Sequence, residues 1–99
     1  IHFLKTNGYN HIAIYGVGPL GKHLIKELDK SEIHIDYLID RKVEEVKENI
    51  KIYKPEDTLP ETDAIVVTVI MEFDEIADML EKKVRCQLLS LEDVIYGVD

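Results

Sequence analysis

Apolar and polar positions follow two alternating periods along this chain. His11–Tyr15 (HIAIY) is an apolar run of strand length that stops at Gly16. From Pro19 the period changes. Leu20, Leu24, Ile25 and Leu28 share one helical face and Lys22, Lys26, Glu27 and Lys30 fall off it, so residues 19–30 are expected to be helical. Proline suits a first helical turn, because the N–H it lacks has no partner there. Ile33–Ile39 alternates and then becomes wholly apolar, a second strand closed by Asp40-Arg41-Lys42. Residues 43–48 have room for one or two helical turns, Ile50–Tyr53 reads as a short third strand, and Pro55 and Pro60 bracket a loop. Ala64–Ile70 is the strongest strand pattern, β-branched and almost wholly apolar, as in a central parallel strand covered on both faces. A helix is expected over 72–83, with Phe73, Ile76, Ala77 and Leu80 on its apolar face. Gln87–Leu89 makes a last short strand, and Ser90 caps a final turn carrying Leu91, Val94 and Ile95. Residues 1–6 read as the end of an element closed by the Asn7-Gly8 turn.

Strands that alternate with helical patterns predict an α/β domain with a parallel sheet. The expected architecture is three-layered, with five strands in the order 3-2-1-4-5. At 99 residues the chain is expected to be one small domain, 1–99. A hydrophobic share of 45% is too high for disorder. The single cysteine, Cys86, excludes a disulfide-stapled scaffold, and no Cys/His set has zinc spacing. No apolar run approaches the roughly 18 residues of a membrane span, so no membrane insertion is expected. A net charge of −8 argues against a nucleic-acid partner. The acidity is uneven: residues 1–55 carry nine basic and eight acidic side chains, residues 56–99 three and twelve. The chain begins with Ile rather than Met, and no signal peptide is visible in it. We therefore expect a piece excised from a longer cytoplasmic protein, working beside a neighbouring domain.

The chemistry concentrates in Gly16-Val17-Gly18-Pro19-Leu20-Gly21, a G-x-G-x-x-G phrase that follows an expected strand and opens an expected helix. Such a loop suits a nucleotide diphosphate. Gly16 allows the tight turn, Gly18 lets a pyrophosphate approach the backbone, and Gly21 lets the helix pack on the strand. The helix N-terminus offers N–H groups and partial positive charge. Pro19 removes one donor and Leu20 retains one. Asp40, 22 residues after Gly18 at the end of the next strand, is placed to accept ribose hydroxyls. Its carboxylate favours NAD over NADP, although Arg41 and Lys42 are cations able to hold a 2′-phosphate. Each feature also has a plainer reading: a strand-turn-helix needs glycine in any case, and a strand-end Asp caps the next turn.

Other chemistry-bearing residues fall into no catalytic set. Glu72, Asp74 and Glu75 begin the second long helix, where carboxylates are favoured by the helix N-terminus. His23 and His34 read as surface, Cys86 as a small buried hydrophobe, and Tyr15 and Tyr37 as packing residues. No Tyr-x-x-x-Lys pair is present. The chain by itself is therefore expected to bind rather than to catalyse.

The stretch from His11 to about Leu80, about two-thirds of the chain, contains three phrases, IAIYGVGPLGKHL, IDYLIDR and IYKPEDTLPETDAIVVTV. In this order they resemble the small Rossmann-like nucleotide-binding domains of bacterial polysaccharide and nucleotide-sugar biosynthesis proteins. Such domains accompany capsule-type sugar-nucleotide dehydratases, sugar acetyltransferases and capsule glycosyltransferases. The resemblance implies a pocket for NAD(P) or a nucleotide-sugar at Gly16, Gly18, Gly21 and Asp40, with Pro19, Leu20 and Arg41 beside it. The favoured reading is a nucleotide-binding module. The alternatives are the cofactor half of an NAD-dependent oxidoreductase or epimerase, and a non-binding interaction domain, homo-oligomeric for instance, with a vestigial pocket.

Overall fold

The computed structural model describes residues 2–42, 50–69 and 71–96. The helical turns expected over 43–48 lie outside the described residues. The elements are α1 (His2–Thr6), β1 (His11–Tyr15), α2 (Pro19–Leu28), β2 (His34–Ile39), β3 (Ile52–Tyr53), β4 (Ala64–Val67), α3 (Phe73–Glu81), β5 (Gln87–Ser90) and α4 (Leu91–Tyr96). The strands form one sheet in the order β3-β2-β1-β4-β5, and every pairing is parallel. This is the expected Rossmann-like α/β arrangement.

Side chains leave the sheet alternately on two faces, and each face builds its own core. Ile12, Ile14, Leu38, Ala64 and Val66 point into one cluster with Leu4 of α1, Leu24, Ile25 and Leu28 of α2, and Leu91 and Val94 of α4. Ala13, Tyr15, Tyr37, Ile39, Ile65 and Val67 point into the other, under Ile76 and Leu80 of α3. The sheet is thus the middle of three layers. β4 is buried at every position, as its unbroken apolar run predicts.

Local chemistry sets the ends of these elements. α1 stops in a Schellman turn: Tyr9 N–H donates to the Leu4 carbonyl and Gly8 N–H to Lys5, with Gly8 at φ +76°. Ser90 and Asp93 cap α4 reciprocally, each side chain accepting from the other's backbone N–H at 3.1–3.2 Å. Two apolar side chains of the helical patterns stand exposed, Leu20 against expectation. Leu20 is 50% exposed, because it lies in the first turn of α2 above the sheet edge, and Ile95 is 56% exposed. Leu24, Ile25, Leu28, Leu91 and Val94 are buried as expected.

One irregularity lies at the opposite sheet edge. The β1–β2 register shifts between Ile12 and Ala13, leaving Asp36 without a partner on β1. Its carboxylate accepts from Thr62 Oγ1 at 2.9 Å and lies 3.0 Å from His11 Nδ1. The bulge thereby ties β1, β2 and the loop before β4 together.

Candidate functional site

In a parallel sheet of this order, the chain leaves β1 and β4 in opposite directions, and a crevice opens where they part at the carboxyl edge. Here the crevice is about 240 Å³, lined by Tyr15, Gly16, Asp40, Arg41, Lys42, Val69, Glu72 and Ile76. Small-molecule sites usually run to roughly 300–1,000 Å³. A volume of 240 Å³ therefore suits part of a dinucleotide, such as one nucleoside, rather than the whole. Val69 and Ile76 supply apolar wall; Arg41 and Lys42 face two carboxylates, Asp40 and Glu72. Asp74 and Glu75 are exposed in the first turn of α3 and do not line it.

The three glycines of the loop have different environments. Gly16 sits at φ +94°, a conformation other residues adopt only with strain, and a Cβ there would lie 2.6 Å from Thr68 Oγ1. A Cβ on Gly21 would collide with the Gly16 carbonyl oxygen. Gly18 is unlike both: its φ is −78°, and a Cβ would meet nothing within 4 Å. It is the N-cap of α2, followed by Pro19 as the first helical residue, and no side chain caps the helix. The carbonyl of Gly18 accepts the first intrahelical bond, from Lys22 at 2.9 Å. The N–H groups of the first turn, Leu20 among them, have no intrahelical acceptor.

Asp40 holds the loop in place. Ile39 pairs with Tyr15, so Asp40 emerges beside the glycine turn, and Gly16 N–H donates to the Ile39 carbonyl at 2.8 Å. Asp40 Oδ2 accepts from Val17 N–H at 2.7 Å and Oδ1 from Lys42 N–H at 2.9 Å. The strand-end capping role therefore exists, and it is directed at the glycine loop itself.

The structure thus brings Gly16, Asp40 and Arg41 together on the crevice wall; Gly18, Pro19 and Leu20 are exposed and do not line it, and Gly21 is buried away from it. Sequence reasoning missed Thr68. It is the one buried polar side chain among the described residues, with Oγ1 at 3.0 Å from the Tyr15 carbonyl and 2.9 Å from that of Gly16. Its backbone N–H also donates to Tyr15 at 2.9 Å. The available signal was its position, a lone hydroxyl near the end of the apolar run Ala64–Ile70.

His23 and His34 are exposed, as expected; His34 packs edge-on against His11 with centroids 5.4 Å apart. Tyr15 and Tyr37 are buried packing residues, and the Tyr37 hydroxyl donates to the Pro60 carbonyl at 2.8 Å. Burial pushes the Tyr37 hydroxyl well above the ordinary tyrosine range. Cys86 is half-buried rather than buried, since it precedes the edge strand β5, and burial raises its thiol. Among the described residues no cluster of His, Cys, Asp or Glu is suited to a metal ion, and no helix is long and apolar enough to cross a membrane. Comparison with family models, curated proteins and solved structures returned no match.

Proposed function

We propose that this domain is a nucleotide-binding module. A diphosphate lies against the N-terminus of α2 at Gly18 and Leu20, and a ribose lies beside Asp40 and Arg41 in the crevice. One observation carries the reading. Gly16 and Gly21 are glycines that the turn and the helix packing demand, whereas the fold makes no demand at Gly18. A side chain there would project into free space in front of uncapped N–H groups, where an anion is favoured. The crevice adds an apolar wall and a carboxylate, the pair of features a nucleoside needs. NAD and a nucleotide-sugar are the first ligands to test, and the three sequence phrases support a place in polysaccharide or nucleotide-sugar biosynthesis.

Calorimetric titration with NAD and a UDP-sugar, alongside Gly18→Val, tests the proposal. Open space at Gly18 makes the valine variant a fair control, since its fold should survive. Saturable binding that the variant loses is the expected result. Equal binding by both proteins, or by neither, would mean that the loop serves the fold alone.

A further inference from the structure

The two faces of the sheet are unequally covered. Among the described residues, α1, α2 and α4 pack on one face and α3 packs alone on the other. Tyr53, Leu59, Phe73, Met79 and Val84 are only partly buried on the α3 side. Between α3 and the end of β3 lies a groove of about 630 Å³, lined by Arg41, Lys54, Pro55, Glu56, Met79 and Lys83. Three cations here meet one carboxylate. Lys83 is held in place, because its Nζ donates to the carbonyls of Pro55 and Asp57, each at 2.6 Å. A fourth cation stands on the same face, with Lys51 Nζ 4.9 Å from the centre of the Tyr53 ring. The helix beside the groove has the opposite sign. Asp74, Asp78 and Glu81, spaced i, i+4 and i+7, form a stripe opposite the buried Ile76 and Leu80, and all three are exposed. Glu75 is exposed as well, and the last turn of α3 holds no basic residue. None of these acidic and basic side chains is in an ion pair among the described residues.

We propose that this face is an interface between two copies of the chain, with α3 of each copy seated at the basic groove of the other. A two-fold interface needs one patch that complements itself. A patch that is acidic along a helix and basic in the groove beside it has that property. Half a turn brings the acidic stripe of one copy onto the cations of its partner, and the reverse. The partly buried Tyr53 and Met79 lie where the two halves of the patch adjoin and supply apolar area to bury. A net charge of −8 opposes the association of two copies in general, so pairing is favoured only where opposite signs meet. Opposed charges across the interface fix its orientation and make its strength depend on salt. The inference stands apart from the nucleotide reading, since neither Gly18 nor Asp40 lines the groove.

Sedimentation velocity over a range of protein concentrations, at low and at high salt, tests the interface. The samples are the wild type, Lys54→Glu, Asp78→Lys and an equimolar mixture of the two variants. Both positions are exposed, so the variants should fold, and thermal unfolding checks that they do. The wild type is expected to dimerise, with a Kd that rises about tenfold from low to high salt as the charges are screened. Each reversal sets like charges together at two symmetric places and should raise Kd by about tenfold or more. The mixture is the decisive sample. Lys54→Glu leaves a face with surplus acid and Asp78→Lys one with surplus base, so the mixture should dimerise where neither variant does alone. A wild type that stays monomeric throughout, a dimer that both reversals leave intact, or a mixture no more dimeric than its components overturns the interface. A monomeric wild type that binds a polyglutamate peptide, with binding lost in Lys54→Glu, also overturns it and assigns the groove to an acidic segment of a different protein.

Discussion

Replacing Gly18 by aspartate should make the domain more stable and unable to bind a nucleotide. Gly18 is an N-cap with extended backbone, no side-chain cap and open space around its missing Cβ, and α2 has no acidic residue in its first turn. Aspartate outranks glycine at N-caps by a few tenths of a kcal/mol. Its charge beside the helix N-terminus contributes about 0.3–1 kcal/mol more. Removing a glycine whose native φ other residues accept adds about 0.4–1 kcal/mol by restricting the unfolded chain. The three effects share a sign and amount to roughly 1–2 kcal/mol. A domain of this size gains about 4–8 °C per kcal/mol, so Tm should rise by roughly 4–16 °C. The same carboxylate stands where the diphosphate is proposed to lie, with like charge. Thermal unfolding followed by circular dichroism reads the first effect, and calorimetric titration with NAD reads the second. A lower Tm would refute the cap geometry, and undiminished NAD binding would refute the placement of the phosphate. Gly18→Ser, a cap without charge, separates the two contributions.

The other glycines should behave in the opposite way. Gly21→Ala forces a methyl group onto the Gly16 carbonyl and should cost about 1–3 kcal/mol in urea unfolding; a loss below 0.5 kcal/mol would refute the close packing of α2 on the turn. Thr68→Val removes the hydroxyl that bonds to the Tyr15 and Gly16 carbonyls and should cost about 1–3 kcal/mol, with an unchanged midpoint counting against that clamp. The hydrogen bond to Asp36, and then its charge, raise the pKa of His11 above 6.5, so the folded state holds the proton more tightly. Stability from this group is complete below pH 6.5 and is lost as pH rises through the raised value. His11→Asn should therefore flatten the fall of Tm with pH across that window, and a wild-type Tm that is level or rising there would contradict the pairing.

Most of the architecture could be read from period and punctuation, since the strands alternate with helical patterns and the turns carry their own chemistry. The errors occurred where tertiary contacts decide. Ala64–Ile70 reads as seven strand residues, but β4 ends at Val67. Beyond it, the Thr68 hydroxyl turns inward to the glycine turn, a partner 52 residues away that no local pattern shows. Leu20 fits the apolar stripe by spacing, yet it stands half exposed in the first turn of α2. The glycine phrase was visible, but its division into two structural glycines and one free one was not, because it depends on where Thr68 and the Gly16 carbonyl stand.

Asp40 is where fold and proposed function compete, and the geometry reconciles them. A carboxylate oxygen can accept two hydrogen bonds, and each oxygen of Asp40 takes one from the backbone. One lone pair on each remains for a ribose hydroxyl, so binding need not break the bond to Val17. That bond instead sets the carboxylate and the glycine turn in fixed relation before any ligand arrives, which lowers the cost of ordering on binding. Asp40→Asn removes this double use. The amide has one acceptor oxygen, so one of the two N–H groups must face an NH2 group. Hydrogen bonds to charged groups contribute about 1.5–3 kcal/mol. Partial exposure of this one reduces the expected loss to roughly 1–2 kcal/mol. Urea unfolding measures it, and amide exchange at Val17 localises it. A variant as stable as the wild type, with Val17 equally protected, would mean that Asp40 does not hold the loop, and the case for a preformed ribose site would go with it.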